Sequence, residues 1–228
     1  VGYASENTQL LFRRGDTFSS SSTISLNVAN TMIGAFGTGS KPKVSANHGN
    51  RLISVSASDV RIVGLHFDCS QQNNLLEPSG WINNFLFYKN YTSPGKFHSG
   101  ITFASSAAEY WGHDIWEDIF FVENDLQDFG FGNGGNIMFF SIDKVTVLGN
   151  HLEDAVGGEH IIRAVQIQRG IISNNILSNC RNQKHPLTIR ALDNSESFYV
   201  VVSDNIVESP DDWAIQAVAK NNDLHTVY

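Results

Sequence analysis

The stretch VTVLGNHL at 145–152 has two close copies further along the chain, GIISNNIL at 170–177 and VVVSDNIV at 200–207. An earlier copy, IFFVENDL, lies at 119–126, and a weaker one, VRIVGLHF at 60–67, has Leu in the Asn position. Each copy has apolar residues at alternate positions, and the Asn is followed two residues later by another apolar residue. The Asn residues that recur in the four strong copies are Asn124, Asn150, Asn175 and Asn205, spaced by 26, 25 and 30 residues.

A short alternating pattern that recurs about every 25 residues predicts a solenoid of β-strands, because one copy is too small to bury its own apolar face. We expect an all-β fold, a right-handed parallel β-helix solenoid of roughly nine coils, which forms a single domain over 1–228. Parallel pairing would place equivalent residues of successive coils about 4.8 Å apart, so the Asn residues should form a ladder. The alternative is a β-sandwich with chance similarity between strands, which would need hairpin turns between them.

Composition narrows the classes of function. The 228 residues are 41% hydrophobic and 17% charged, with 19 Gly and only 5 Pro, which favours a turn-rich β protein. The net charge of −8 argues against nucleic acid or an anionic membrane as a partner, and no apolar run approaches the length of a bilayer span. We expect an extracellular or periplasmic protein. The caps of the solenoid look incomplete, which would suit an oligomer or a larger assembly.

The stretch at about 70–100 reads as an aromatic-rich insertion between coils. Aromatic residues are about twice as frequent there as in the whole chain, and long loops are often functional. One interpretation is the wall of a cleft that stacks sugar rings, with Trp81, Tyr88 and Tyr91 as substrate-binding residues. The alternative is a loop packed only on itself. The six aromatic residues are Trp81, Phe85, Phe87, Tyr88, Tyr91 and Phe97.

Counting from the repeated Asn residues aligns GGEHIIR at 157–163 with NQKHPLTIR at 182–190. Glu159 would lie beside Lys184, and His160 beside His185, because each pair has the same offset from its Asn. Strand parity then sorts the following side chains. We expect Ile162, Ala164, Leu187 and Ile189 to face the core, and Arg163, Thr188 and Arg190 to face solvent.

The expected outward side chains form a local basic patch on an acidic protein. Arg163, Lys184 and Arg190 would be joined by Lys220 and Gln216 of the next coil, with Glu159 as the one acid. The alternative is a solvated ion-pair face, which is common and contributes little to stability. The two histidines could be a stacked internal pair bonded to neighbouring carbonyls, or they could turn outward at the corner.

The basic patch would suit an acidic polysaccharide, cleaved by β-elimination of a uronic acid. Arg163 or Arg190 could neutralise the sugar carboxylate, since a guanidinium is permanently charged and binds carboxylates with two hydrogen bonds. Lys184 could act as the base if its surroundings lower its pKa. His160 or His185 is the rival base or acid, because imidazole titrates near neutrality. Glu159 could orient Lys184 or a histidine.

Several stretches resemble a known family. LLFRRGDTF at 10–18, IGAFGTGSKPKV at 33–44 and VRIVGLHFD at 60–68 resemble the opening coils of right-handed β-helix polysaccharide lyases and related proteins, which include alginate, chondroitin and pectate lyases, epimerases and phage tailspikes. GGEHIIR and KHPLTIR resemble the central coils of alginate-lyase-like members. The resemblance implies a Lys base and an Arg acid on neighbouring coils. Lys184 matches the Lys by type, whereas Arg190 is on the same coil and Arg163 on the preceding one.

Two other functions remain open at this point. The fold also serves non-catalytic glycan-binding or structural proteins such as tailspikes, adhesins and filament subunits. Hydrolases of the polygalacturonase type resemble this fold, but their motifs are not intact here, and only a bare Asp211-Asp212 is present. We expect no cofactor. Calcium assists some lyases of this shape, although the sequence has no ligand-dense loop like an EF-hand.

Overall fold

A computed structural model describes residues 5–46, 51–68, 72–93, 97–103, 116–129, 137–155, 160–180, 185–191, 199–208 and 213–219. In these ranges the chain forms 22 strands, numbered in chain order, and no helix. The strands pair in three parallel stacks. The first stack contains β1 (Gln9–Arg13), β4 (Met32–Phe36), β7 (Val60–Val63), β10 (Asn83–Tyr88), β13 (Glu117–Val122), the second halves of β15 (Ile137–Leu148) and β17 (Ile162–Ser173), and β20 (Tyr199–Ser203).

The other two stacks complete the coils. The second contains β2 (Thr17–Ser20), β5 (Lys43–Ala46), β8 (His66–Phe67), β11 (Tyr91–Thr92), β14 (Asp125–Phe129), β16 (His151–Ala155), β18 (Ile176–Cys180) and β21 (Ile206–Glu208). The third contains β3 (Ile24–Leu26), β6 (Ile53–Val55), β9 (Gln72–Pro78), β12 (Phe97–Phe103), the first halves of β15 and β17, β19 (Leu187–Ala191) and β22 (Ile215–Ala219). The predicted all-β parallel solenoid is therefore confirmed.

Each stack holds eight strand segments in the described part of the chain, so the predicted count of roughly nine coils is slightly too high. The reason is that some coils use more chain than the repeat suggests. The step from Asn90 to Asn124 takes 34 residues, and the step from Asn175 to Asn205 takes 30.

The Asn ladder is present and continuous. In each step the backbone N–H and side-chain amide of one Asn donate to the side-chain oxygen of the Asn one coil further on. Between Asn150 and Asn175 these distances are 3.0 and 2.9 Å, and Asn150 Nδ2 also donates to the Phe121 carbonyl at 3.0 Å. The ladder includes Asn90, which the repeat did not identify. Its members are Asn90, Asn124, Asn150, Asn175 and Asn205.

A left-handed residue precedes every ladder Asn and turns the chain from the first stack to the second. Lys89, Glu123 and Asp204 have φ values of 53°, 50° and 55°. This conformation costs an L residue about 1–2 kcal/mol, and the Asn hydrogen bonds at the same corner offset that cost. The weak copy ends the ladder, because Leu65 has no amide to extend it and its backbone N–H donates to Asn90 Oδ1 at 3.0 Å.

A column of phenylalanines fills the centre of the solenoid. Phe85 and Phe87 come from the stretch predicted as an insertion, yet both are fully buried. Burying a side chain of this size contributes about 1.5–3 kcal/mol. Around these residues β10 pairs with β7 and β13, so this part of the stretch lies within the stack as a coil. The fully buried rings are Phe67, Phe85, Phe87, Phe103, Phe121 and Phe139.

β15 and β17 each run from the third stack to the first as one continuous strand. The corner is made by Ser141 and Gln166, with φ values of 54° and 53°, which lie one above the other and are both buried. Ser141 Oγ donates to Gln166 Oε1 at 3.2 Å. Just beyond the corner, Asp143 accepts from Arg169 Nε at 2.9 Å and from Arg169 Nη2 at 2.5 Å. These polar contacts hold neighbouring coils in register.

Candidate functional site

The predicted alignment of the two central coils is confirmed where the structure describes them. Ile162 lies opposite Leu187, and Arg163 lies opposite Thr188. The core assignments hold as well, since Ile162, Ala164 and Leu187 are fully buried and Ile189 is partly buried against the core. The repeat therefore fixes which side chains are neighbours in this region.

The two histidines form a stacked pair at the corner before the third stack. Their ring centroids are 6.0 Å apart and the rings are 18° from parallel. His160 Nδ1 lies 2.8 Å from the His185 carbonyl, and His185 Nδ1 lies 3.2 Å from the Trp213 carbonyl. A carbonyl only accepts, so Nδ1 carries the hydrogen in both contacts. The structure thus matches the interpretation as a pair bonded to neighbouring carbonyls.

Thr188 departs from its expected outward position. Its side chain is completely buried, and its hydroxyl lies 2.9 Å from His160 Nδ1. Strand parity alone does not predict this. Parity tells which face of the sheet a side chain is on, but not whether other residues cover that face. His160 is only 2% exposed, and its ring is held by polar contacts with the His185 carbonyl and the Thr188 hydroxyl.

The arginine surface, defined here as Arg163, Arg190 and Gln216, lies on β17, β19 and β22. Arg163 and Arg190 are half-buried and stand on adjacent strands, two residues apart along the strand direction. Strand geometry puts their Cα atoms roughly 8 Å apart. The Arg163 guanidinium lies over the Phe140 ring at 5.5 Å, which fixes its orientation by a cation–π contact.

Gln216 stacks in line with Thr188 and Arg163, whereas Arg190 stacks between Val165 and Val218. Arg190 Nε and Gln216 Oε1 are buried and have no hydrogen-bond partner within the described ranges. The arginine surface therefore places two half-buried arginine side chains on neighbouring strands of one sheet. Glu159, Lys184 and Lys220, which the sequence assigns to the same patch, lie outside the described residues, so their roles stay predictions.

The three predicted sugar-stacking residues are not brought together by the structure. Trp81 packs on Trp116, with ring centroids 4.7 Å apart, in the turn before β10. Tyr88 ends β10 in the first stack, and Tyr91 begins β11 in the second. Arg163 belongs to the third stack, so these aromatic residues do not form one wall beside it. The reason is that the stretch follows the solenoid around its corners.

Sequence reasoning missed a groove on the second stack, which we call the lysine groove. It has a volume of about 310 Å³. Its floor follows the register, because Lys43 lies opposite His66, and His66 lies opposite Tyr91. That register was available from the repeat, but nothing in the local sequence marks these residues as a site. The groove is lined by Gly15, Asp16, Thr17, Ser40, Lys41, Lys43, His66 and Tyr91.

In the described ranges, no three His, Cys, Asp or Glu side chains are grouped so that they could hold a metal ion. The suggestion of calcium stays a prediction. In the same ranges, no helix has the length and apolar character needed to cross a membrane.

Comparisons with known proteins do not assign a family. No protein-family model matches the chain, and no curated protein matches it. The fold itself is shown by the strand pairings. On that ground the chain is an all-β parallel β-solenoid.

Proposed function

We propose that the protein is a polysaccharide lyase that cleaves an acidic, uronic-acid-containing glycan, with alginate-like polymers as the leading class. The observation that supports this best is the arginine surface, because Arg163 and Arg190 stand on adjacent strands, two residues apart along the strand direction, in a chain with a net charge of −8. Two permanent cations close together on one sheet suit a polyanion. A polymer of this kind is met outside the cytoplasm, so we propose an extracellular or periplasmic location.

The proposed reaction is a β-elimination. A base removes the proton on the carbon next to the sugar carboxylate, and that electron pair forms the new carbon–carbon double bond. The glycosidic oxygen leaves with the bonding electrons and takes a proton from an acid. Arg163 and Arg190 would neutralise the carboxylate, which makes the adjacent proton more acidic. The products are one new chain end with a hydroxyl and one with an unsaturated sugar.

His160 is better suited to positioning than to proton transfer. Its Nδ1 is engaged by a carbonyl and the Thr188 hydroxyl, and the ring is buried. Lys184 directly precedes His185 in the sequence, so we propose that the bonded histidine corner presents Lys184 as the base, with Glu159 orienting it. This assignment of Lys184 and Glu159 rests on the sequence.

The test is a screen for unsaturated product ends, measured by their ultraviolet absorbance, on alginate, pectate, chondroitin and glucuronan. We expect turnover on one of these polymers. Arg163→Ala and Arg190→Ala should each reduce it by about a hundredfold or more, and Lys184→Ala should abolish it while the fold survives. Arg61→Ala is the matched control, since Arg61 lies on β7 in the first stack. Turnover that is unchanged in the Arg163, Arg190 and Lys184 variants would refute the assignment.

A non-catalytic glycan-binding protein is the second candidate. The observation in its favour is that His160 is occupied by structural hydrogen bonds, so one predicted acid–base group is unavailable at Nδ1. This function predicts that a uronan binds, that no unsaturated product forms from any of the four polymers, and that Arg163→Ala weakens binding. Product formation by the wild-type protein would exclude it.

A further inference from the structure

The lysine groove lies on a different face from the arginine surface. Its floor belongs to the second stack, where Thr17, Lys43, His66 and Tyr91 follow one another in register on successive strands. Arg163 belongs to the third stack. The groove is at the small end of the range for ligand pockets, about the size that a single sugar unit or a similar ring requires.

Within the part of the chain that the structure describes, one cation of the groove has no carboxylate at ion-pair distance. Lys43 Nζ contacts Asp68 Oδ2 at 2.7 Å, and Asp16 accepts from Arg13 at 3.0 Å through both oxygens. Lys41 makes no ion pair with the described residues. Among the described residues, the groove therefore has one ammonium without an ion-pair partner, together with an Asp16 carboxylate that would repel a multiply charged anion.

The surroundings of Lys41 make its charged form less favourable than it is in water. Burial is the largest effect that lowers the pKa of Lys41, and the nearby cations Arg14 and Lys89 lower it further, while Asp125 acts in the opposite direction. A bound monoanion would relieve this penalty, because an opposite charge favours the ammonium form. The electrostatics thus favour one negative charge beside Lys41.

The rest of the groove is suited to a ring that carries hydroxyl groups. Tyr91 and His66 pack edge to face with centroids 4.7 Å apart, and His66 Nε2 lies 2.7 Å from Ser93 Oγ, so the aromatic floor is fixed. Thr17 and Ser40 line the groove and add hydroxyl groups. An aromatic surface with a few polar groups around it is typical of a site for a small organic ligand.

We propose that the lysine groove is a binding site for one carboxylated sugar unit. Lys41 holds the carboxylate, Tyr91 supports one face of the ring, and the Asp16 carboxylate with the Thr17 and Ser40 hydroxyls contacts the sugar hydroxyls. The proposal does not depend on cleavage at the arginine surface. It assigns binding, and no reaction, to the second-stack face.

The experiment titrates the wild-type chain with glucuronate and galacturonate, with the neutral sugars glucose and galactose, and with inorganic phosphate. Binding is followed by shifts of backbone amide signals in NMR spectra. We expect the two uronates to bind and to shift the signals of Ser40, Lys41 and Tyr91. The neutral sugars should bind at least about tenfold more weakly, since one charge-assisted contact is worth more than a factor of ten. Phosphate should also bind more weakly, because Asp16 repels its charge and it has no ring for Tyr91 to support.

Variants locate the binding site. Lys41→Met keeps the length of the side chain without its charge and should weaken uronate binding by about tenfold or more. Tyr91→Ala should weaken it as well. The control is Lys144→Met on β15, where the ammonium contacts Asp118 at 3.4 Å outside the groove, and it should bind like the wild type.

The outcomes separate this proposal from the lyase proposal. Equal binding of glucose and glucuronate would overturn the role of the carboxylate, and equal binding of phosphate would reduce the groove to a general anion site. No uronate binding by the wild type would overturn the proposal outright. Loss of binding in Lys41→Met with full polymer cleavage would support a site separate from the arginine surface, whereas binding that persists in Lys41→Met would refute it.

Discussion

His160 donates from Nδ1 to the backbone carbonyl of His185 across 2.8 Å, and the two imidazole rings lie parallel within 18°. The side chain of one coil therefore completes the backbone hydrogen bonding of the next. Because the carbonyl is at a corner, where the strand ladder cannot satisfy it, the ring replaces a missing backbone partner. This contact joins the coil that contains GGEHIIR to the coil that contains KHPLTIR, the two motifs of the proposed site.

His160→Ala should destabilise the fold. The change leaves a cavity and removes the partner of the His185 carbonyl, so we expect a loss of about 2–4 kcal/mol in the free energy of unfolding, measured by urea denaturation. The control His151→Ala removes a more exposed imidazole, which contacts Asp125 at 3.2 Å, and should cost less than about 1 kcal/mol. A fully stable His160→Ala protein that lacked turnover would instead point to a catalytic imidazole.

Asn150→Ala should be among the most damaging changes at the corner of the first and second stacks. It removes the acceptor for two donors of Asn124, at 2.9 Å each, and leaves those donors buried. We expect a loss of about 2–4 kcal/mol in unfolding free energy. Asn205→Ala removes a comparable set of bonds, but Asn205 is only half-buried, so water can replace them and the loss should be smaller. Equal losses at the two positions would contradict this explanation.

Phe87→Ala tests whether the aromatic stretch belongs to the core. Phe87 is fully buried and packs against Phe67 and Phe121, with ring centroids 6.0 and 5.6 Å away. We expect a loss of about 3–5 kcal/mol in thermal or urea unfolding. The neighbouring Tyr88→Ala is the control and should have a much smaller effect, because Tyr88 is only half-buried. A small effect of Phe87→Ala would favour a self-contained loop.

His66 should make stability depend on pH in the acid range. Burial lowers its pKa below the ordinary value of 6.5, and the charge of Lys43 lowers it further, against the opposite effect of Asp68. The folded state thus binds a proton on His66 less readily than the unfolded state does. Its stabilising contribution is complete above about pH 6.5 and is lost as the pH falls through the lowered pKa.

His66→Asn removes this titration. The variant should show a flatter pH dependence of unfolding free energy than the wild type as the pH falls below about 6.5. His185→Asn, on a different corner, provides a comparison for the general effect of replacing an imidazole. If the wild type and His66→Asn had parallel pH profiles, the lowered pKa would not contribute to stability.

Much of the fold could be predicted because the solenoid converts sequence spacing into spatial contact. Asn124, Asn150 and Asn175 recur at nearly constant spacing, and parallel pairing then dictates that they stack. The repeat of about 25 residues does not identify Asn90, because 34 residues separate it from Asn124. The high density of aromatic residues predicts an insertion around Phe85 and Phe87, although their alternation with half-buried Leu86 and Tyr88 is the pattern of a core strand.

The candidate site could be predicted only in part. The repeat predicts that Arg163 and Thr188 are neighbours, but not that the Thr188 hydroxyl turns to a buried ring, which depends on side-chain packing around the corner. The lysine groove combines residues from Gly15 to Tyr91 in four coils. No local motif marks such a site, because its chemistry exists only after the coils are wound.

The Asn ladder also determines which insertions and deletions the fold can accept. Each Asn side chain offers its oxygen to the previous coil and its amide hydrogen to the next, so every step has the same polarity and any member can follow any other. Removing the chain from Asn150 up to the residue before Asn175 would join Asn124 directly to Asn175 with matching donors and acceptors. Excision or duplication of one whole turn should therefore be tolerated, whereas the loss of the left-handed residue directly before an Asn should not.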